Sequence, residues 1–277
     1  MRVAVHLLAV SVSLAAAETP DAAGLVTRTL AKDNRNDEAR RNYTYLQKSV
    51  ERDYDSGGKV VKTETATAEI LMLFGERFEK FIERNGKPIG ADEEAKQRKK
   101  MDGITSERSR ETPEQRSRRL AGVEHKRQRQ RSLLKKIPEA FDLRITGSEG
   151  IGGRDTWVVA AEPKAAFKPR DMQSRILTKF RATFWIDKNE EQLVKLEAEA
   201  LDTVSVGFVL ARLSKGSRFL VETTRVNGEI WLPKRIEAKV DARLALLKKV
   251  RTEAEVTYSE YRKFRSESRI ISASEPE

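Results

Sequence analysis

Hydrophobic and polar residues alternate with a period of two along most of this chain, the pattern of β-strands that bury one face. The alternation is clearest in Phe180–Asp187 and Val194–Ala200, which flank the turn residues Lys188-Asn189-Glu190. A strand also begins at Tyr43, and the same criterion predicts further strands at Val60–Phe74, Phe78–Glu83, Phe141–Thr146, Thr156–Ala161, Ser217–Val226, Glu229–Val240 and Thr252–Tyr261.

Turn residues separate these predicted strands. Ser56-Gly57-Gly58, Asn85-Gly86 and the glycine-rich Gly147–Gly153 each follow a strand, and Asn227-Gly228 is the strongest hairpin signal. Strands that are apolar on one face only are typical of antiparallel sheets with one covered face. The sequence therefore predicts an α+β, mainly antiparallel fold, a strongly curved meander sheet that forms a half-barrel.

A helix is predicted at the start of the folded region. Thr19 is the expected N-cap, Pro20 suits the first turn, and Leu25, Val26 and Leu30 form an apolar stripe. We expect Asn34 and Asn36 to end or interrupt this helix, with a second short turn at 37–41.

The segment 91–136 is also helical in pattern. Thr112-Pro113-Glu114-Gln115 has the form of a capping box and begins a helix to about Lys136. Asp92–Met101 predicts a shorter helix, with Gly103–Glu111 as a loop.

Val204–Leu213 and Leu244–Leu247 are apolar on both faces, which leaves a widened strand end, a short helix and a packed loop as alternatives.

The N-terminus has the pattern of a cleavable signal peptide over residues 1–17, with a positive start, an apolar run and Ala15-Ala16-Ala17 before Glu18. A membrane anchor is less favoured, because the run is shorter than the roughly 18–20 residues that span a bilayer. We expect a periplasmic protein of a Gram-negative envelope, with residues 18–277 as a single half-barrel domain. Because the chain has no cysteine, its core must stabilise it without disulfides.

Positive charge is concentrated in the predicted helical insertion. The chain carries a net charge of +11, and residues 91–136 hold 15 Lys and Arg against 8 Asp and Glu. This segment therefore carries +7 of that charge, and its cations are candidates for contact with an anionic surface. These cations are Arg116, Arg118, Arg119, Lys126, Arg127, Arg129 and Arg131.

Candidate catalytic chemistry is sparse. After residue 17 the only histidine is His125, within the basic helix, where a solvated side chain is the simplest interpretation. Zinc sites need several His or Cys ligands, and no Asp-x-Asp-x-Asp-Gly run predicts a calcium loop. We expect a protein that is not an enzyme and has no cofactor or metal. A carboxylate-only enzyme is the weakest alternative.

Two stretches resemble a known family. Phe184-Trp185-Ile186-Asp187 with the returning Leu193–Leu196, and Arg154–Lys164 with its strand ending in Pro-Lys, are similar to LolA-like outer-membrane lipoprotein carriers. Trp231-Leu232-Pro233 is in keeping with them, and the resemblance covers about residues 141–264. It implies a half-barrel whose concave apolar face is covered by helices, and relatives that bind acyl chains or sense the state of the envelope. The long basic helix departs from that pattern.

The leading hypothesis is a periplasmic carrier or binder of a lipid or lipoprotein acyl chain on the concave face. Its basic helix would meet an anionic membrane surface or an envelope protein. The alternative is an envelope scaffold or stress sensor that docks through this helix. Nucleic-acid binding is disfavoured by the signal peptide and by the lack of aromatic residues in the helix. The expected lining of the binding face is Phe180, Phe184, Ile186, Leu196, Val221, Leu232, Ile236 and Val256.

Overall fold

The computed structural model describes residues 19–171, 174–206, 211–244 and 248–264. The predicted signal peptide, residues 1–17, lies outside these described residues. So do residues 207–210 and 245–247, which belong to the two segments that are apolar on both faces.

Helices occupy two regions of the described chain. They are α1 (Ala22–Ala39), α2 (Ala91–Ser109), α3 (Pro113–Leu134) and α4 (Ile137–Ala140). Two 3₁₀ turns, Arg40–Asn42 and Ser174–Lys179, connect elements of the fold. None of the described helices is long and apolar enough to cross a membrane.

The described strands form one antiparallel sheet. Their bounds are β1 (Tyr43–Tyr54), β2 (Val60–Leu73), β3 (Glu76–Arg84), β4 (Lys87–Pro88), β5 (Phe141–Ile151), β6 (Arg154–Pro163), β7 (Phe180–Asp187), β8 (Leu193–Ala200), β9 (Val204–Val206), β10 (Ala211–Leu213), β11 (Arg218–Val226), β12 (Ile230–Leu244) and β13 (Lys248–Lys263). The expected α+β, mainly antiparallel fold is confirmed.

Two meanders join to make this sheet. The strand order is β4-β3-β2-β1-β13-β12-β11-β8-β7-β6-β5, with β9 and β10 paired beside β12. The first and last strands of the described chain meet in the middle, where β1 pairs with β13 along nearly its whole length. The sheet does not close, since β4 and β5 form its two edges.

The sheet is strongly curved around α1. This helix packs against β12, β8 and β5, although β12 and β5 lie five places apart in the sheet order. In a flat sheet those two strands would be about 24 Å apart, more than twice the width of a helix. Contact of α1 with both strands fits a sheet that bends around the helix, the half-barrel that the alternation predicts.

The main core lies between α1, α4 and the β5–β8 end of the sheet. Leu25, Val26, Val159 and Ile186 are each no more than 1% exposed there. A second cluster, beside β1 and β12, surrounds Tyr43, whose hydroxyl donates to the carboxylate of Glu229. Burial of these large apolar side chains supplies most of the favourable free energy of folding, which has no contribution from disulfides.

The predicted start and end of α1 were wrong. Asp21, rather than Thr19, is the N-cap, and its carboxylate accepts a hydrogen bond from the Gly24 amide at 2.6 Å. The helix also continues through Asn34 and Asn36. Asn36 bonds outward, donating to the Gln192 side chain at 2.8 Å, so its amide does not compete with the helix backbone.

The basic segment forms α2 and α3. The capping box at Thr112 is confirmed, with hydrogen bonds in both directions between Thr112 and Gln115. The expected loop at Gly103–Glu111 was wrong, because α2 runs to Ser109. Gly103 lies in open space on this helix, where it is tolerated at a modest cost in helix stability.

The predicted tight turns are confirmed. Asn85-Gly86 and Asn227-Gly228 both have positive φ angles, the conformation that an Asn-Gly hairpin favours. The glycine-rich hairpin is tighter than expected, because β5 and β6 extend as far as the turn at Gly152-Gly153. Val204–Leu213 contributes two short strands, β9 and β10, at its described ends.

Candidate functional site

A cavity of about 590 Å³ lies between the concave face of the sheet and the helices. Strands β7, β8, β11 and β12 form its floor, and α1 and α3 form its roof. Ile137, Phe141 and Leu177 close the end nearest the main core. The volume falls within the range of roughly 300–1,000 Å³ that small-molecule sites occupy.

Large apolar side chains form one row across the floor. Paired positions on neighbouring strands share a face, so the register defines this row directly. It runs through Val159, Phe184, Leu196, Val221, Ile236 and Val256. Five of the eight predicted lining residues therefore lie side by side on adjacent strands of the concave face.

A row of five alanines and one phenylalanine runs beside the large one. Two positions further along the same strands, the paired residues are Ala161, Ala182, Ala198, Phe219, Ala238 and Ala254. Ala161, Ala182 and Ala198 border the cavity. Because an alanine projects only a methyl group from the sheet, this row leaves space below the roof that larger side chains would fill.

The predicted lining residues divide between the cavity and its surroundings. Phe184, Leu196, Val221 and Leu232 border the cavity. Ile236 and Val256 continue the same row beyond it and remain half-buried.

The other two predicted lining residues pack elsewhere. Ile186 is fully buried in the main core with Leu25 and Val26. Phe180 packs against Phe219, with ring centroids 5.9 Å apart, in a cluster with Leu213. Ile186 and Phe180 both contribute to packing beside the cavity.

The roof combines apolar contacts with a polar rim. Leu30 of α1 and Leu133 and Leu134 of α3 face the cavity. α1 is held in place by the β7–β8 turn, where the Glu191 carboxylate accepts hydrogen bonds from Arg28 at 2.8 Å and Lys32 at 3.0 Å. These bonds, that of Arg28 first, lower the pKa of Glu191, so it is ionised at neutral pH.

Asp33 of α1 is an acidic residue whose pKa is raised in the folded protein. It lines the cavity and is half-buried. Burial raises its pKa, the Asp37 charge raises it further, and Arg40 opposes the shift. Arg40 itself donates to Asp37 at 2.6 Å. Asp33 therefore places a poorly solvated carboxylate at the edge of an apolar space.

Helix α3 crosses the open side of the half-barrel. Its 22 residues span about 33 Å. Near its start, Arg119 bonds both the Phe74 carbonyl, at 3.1 Å, and the Glu76 carboxylate, at 2.6 Å, at the β2–β3 turn. Near its end, Arg131 donates to Glu38 of α1 at 2.9 Å. We call α3 the strap because it is fastened at both sides of the concave face.

The predicted anionic-surface residues divide into two groups on the strap. Arg116, Arg118, Lys126 and Arg129 are exposed, and none forms an ion pair with a described carboxylate. Arg119, Arg127 and Arg131 turn inward and are half-buried. The inward group faces the cavity rim and the sheet, so only the outward group presents free charge to solvent.

Sequence reasoning missed several residues of the site. Ala161, Thr223, Trp231 and the leucines of the strap also border the cavity. Trp231 is 5% exposed, and its indole donates to Glu190 at 2.9 Å. The alternation indicates Ala182 and Ala198, because they share a face with Phe184 and Leu196. The predicted lining, however, contained only larger apolar residues.

No cluster of three or more potential metal ligands occurs among the described residues. His125 is exposed on the strap. Among the described residues, the cavity is an apolar space with a charged rim.

No protein-family model and no curated protein sequence matches this chain. Among solved structures, it is similar to a DUF1329 family protein from Desulfovibrio piger, at 9% identity over 90% of this chain and 96% of the other, with a TM-score of 0.33. It is also similar to an outer-membrane lipoprotein-sorting protein domain from Vibrio parahaemolyticus, at 12% identity over 88% and 95%, with a TM-score of 0.34.

A third similar structure is a LolA superfamily protein from Nitrosomonas europaea, at 10% identity over 84% of this chain and 93% of the other, with a TM-score of 0.27. The descriptions of the last two structures name lipoprotein sorting and the LolA superfamily.

Proposed function

We propose that this chain is a non-enzymatic periplasmic protein that binds an acyl chain of a lipid or lipoprotein in the cavity beneath the strap. The observation that carries the proposal is the space of about 590 Å³ between the concave face and the helices, whose lining is mostly apolar. A folded chain normally fills such a space with its own side chains, because packing approaches the density of organic crystals. The small side chains of Ala161, Ala182 and Ala198 leave it open here.

Burial of the hydrocarbon would drive binding. Each methylene group transferred from water contributes about 0.8 kcal/mol, without any covalent step. Phe184, Leu196 and Val221 on the floor and Leu134 on the roof supply apolar surface on both sides of a bound chain. Binding and release would require the strap to move, since it lies over the floor.

A cavity-filling variant tests the proposal. Ala198→Phe places a ring in the cavity, whereas Ala160→Phe places the same ring on the opposite face of the sheet, because Ala160 is one position from the lining residue Ala161. The wild-type protein and both variants are purified from a periplasm, and bound lipid is extracted and measured by mass spectrometry. We expect lipid with wild type and Ala160→Phe but little with Ala198→Phe. Equal lipid in all three, or none in wild type, would contradict the proposal.

The exposed cations of the strap support a second candidate function, docking to an acidic envelope protein. Their side chains point to solvent with no ion-pair partner among the described residues. A variant that replaces all four with glutamine is compared with one that replaces the three arginines with lysine. Docking predicts that the glutamine variant loses the partner in a pull-down and that the lysine variant keeps it. Equal capture by both variants would exclude this function.

A further inference from the structure

Two neighbouring arginines, Arg127 in the cavity lining and Arg41 beside it, form no hydrogen bond with a described residue. Arg41 follows α1, and Arg127 lies on the inner face of the strap. Their guanidinium nitrogens approach the same Glu124 oxygen, Oε2, at 3.7 and 3.9 Å, too far for a hydrogen bond. Neither guanidinium donates to any other atom of the described residues, and the Arg41 Nε is buried without a partner.

This arrangement is costly for the protein alone. A guanidinium presents five N–H donors, and a buried donor without an acceptor loses the hydrogen bonds it made to water. Burial lowers the pKa of Arg127, and the nearby Arg41 charge lowers it further. Arg127 is therefore a poorly solvated positive charge, and the neighbouring Arg41 has a buried Nε that no acceptor satisfies.

The neighbouring carboxylates are already engaged. Glu124 accepts a hydrogen bond from Arg131 at 3.2 Å through its other oxygen, and Asp37 is held by Arg40 at 2.6 Å. Neither carboxylate accepts a hydrogen bond from Arg41 or Arg127.

Arg127 also lies where the polar end of a bound amphiphile would emerge from the cavity. It lines the cavity and, on the other side of the strap, a groove of about 690 Å³ bounded by Arg77, Lys126 and Arg129. A chain bound on the floor would reach this positively charged rim at its polar end.

We propose that the ligand is an anionic amphiphile whose phosphate or carboxylate head accepts hydrogen bonds from Arg41 and Arg127 while its chain occupies the cavity. This inference rests on the proposed acyl-chain binding and adds the chemistry of the head group. A planar guanidinium pairs well with carboxylate and phosphate oxygens, and two of them can hold one head from two sides.

Calorimetry with matched ligands tests the head group. Wild type is titrated, below the micelle concentration, with a monoacylglycerol phosphate, the free fatty acid, the neutral monoacylglycerol of the same chain length, and inorganic phosphate. We expect both anionic amphiphiles to bind roughly ten- to a hundredfold more tightly than the neutral one, with the difference shrinking at high salt.

The double variant Arg41→Gln/Arg127→Gln should bind the neutral ligand as wild type does and lose the preference for the anionic ligands. Arg118→Gln, at an exposed arginine of the same helix that borders neither the cavity nor the groove, should keep it. The comparison of ligands on wild type needs no variant, so poor folding of the double variant leaves the test intact.

The outcomes separate the two proposals. Equal affinity of wild type for neutral and anionic amphiphiles overturns the head-group site and leaves acyl-chain binding in place. Inorganic phosphate that binds as tightly as the monoacylglycerol phosphate also overturns it, because the site then takes a free anion. Failure of every amphiphile to bind overturns acyl-chain binding itself.

Discussion

Arg119 and Glu111 form a bidentate ion pair, in which Nε and Nη2 donate to the two carboxylate oxygens at 2.7 and 2.9 Å. The remaining nitrogen, Nη1, bonds the Glu76 carboxylate and the Phe74 carbonyl across the β2–β3 turn. One side chain therefore connects the α2–α3 junction, the strap and the sheet. Since the strap covers the cavity, this connection fixes the position of the roof.

Arg119→Gln should loosen the start of the strap. Glutamine cannot make the bidentate pair or reach both carboxylates, so backbone amides in the first half of α3 should exchange with solvent at least severalfold faster. Hydrogen exchange with mass spectrometry measures this. Arg118→Gln, an exposed neighbour, is the control and should leave exchange unchanged. Equal protection in wild type and Arg119→Gln would mean that Arg119 does not hold the start of the strap.

The contribution of this ion pair should depend on pH. The Arg119 hydrogen bonds lower the pKa of Glu111, so its ionised form is favoured in the folded state. The stabilisation is complete above the ordinary glutamate pKa of about 4.3 and is lost as the pH falls through the lowered folded-state value. Urea unfolding of wild type and Arg119→Gln should therefore differ by a constant amount between pH 7 and 5 and converge in stronger acid. A constant difference throughout would contradict the assignment.

Asp33→Asn should stabilise the protein at neutral pH. Burial raises the pKa of Asp33, so the stability associated with its protonated form is present below the unfolded pKa and lost as the pH rises through the raised folded value. Asparagine has nearly the same size and does not ionise, so the variant avoids this loss of stability at neutral pH. Thermal unfolding should show a higher Tm at pH 7 and no gain near pH 3. The exposed Asp142→Asn is the control, and an equal gain there would point to net charge instead.

Substitution by alanine should reduce the free energy of unfolding more in the core than in the cavity lining. Ile186 is fully buried among close neighbours, so Ile186→Ala should reduce the free energy of unfolding by about 2–5 kcal/mol. Leu196 borders a space that is already open, so Leu196→Ala should cost only about 1–2 kcal/mol while weakening acyl-chain binding. Urea unfolding measures both. Equal costs at the two positions would show that the floor is packed as tightly as the core.

Most of the fold could be predicted from short-range patterns in the sequence. The alternation in β7 and β8, the Asn227-Gly228 turn and the Thr112 cap all depend on neighbours a few residues apart, so the sequence alone reveals them. The start of α1 was misjudged because Asp21 and Thr19 are both good caps, and only the packing of Leu25 and Val26 fixes the register. Asn36 stays helical because of a partner 156 residues away.

The candidate site was harder to predict from the sequence than the fold. The row through Phe184, Leu196 and Val221 follows from the alternation once the register is known, but the cavity itself depends on what the alanines leave empty. The division of the basic residues depends on how the strap is rotated against the sheet. Likewise, the proximity of Arg41 and Arg127 arises from tertiary packing, and no spacing in the sequence indicates it.

The most direct test of acyl-chain binding is methyl NMR with a fatty acid that carries a spin label near the end of its chain. Paramagnetic broadening falls steeply with distance, so it locates the bound chain. The methyl signals of Leu196, Val221 and Leu232, which border the cavity, should broaden strongly, while those of the exposed Val60 and Val61 should not. Broadening of the exposed valines, with sharp signals at the cavity residues, would contradict binding beneath the strap.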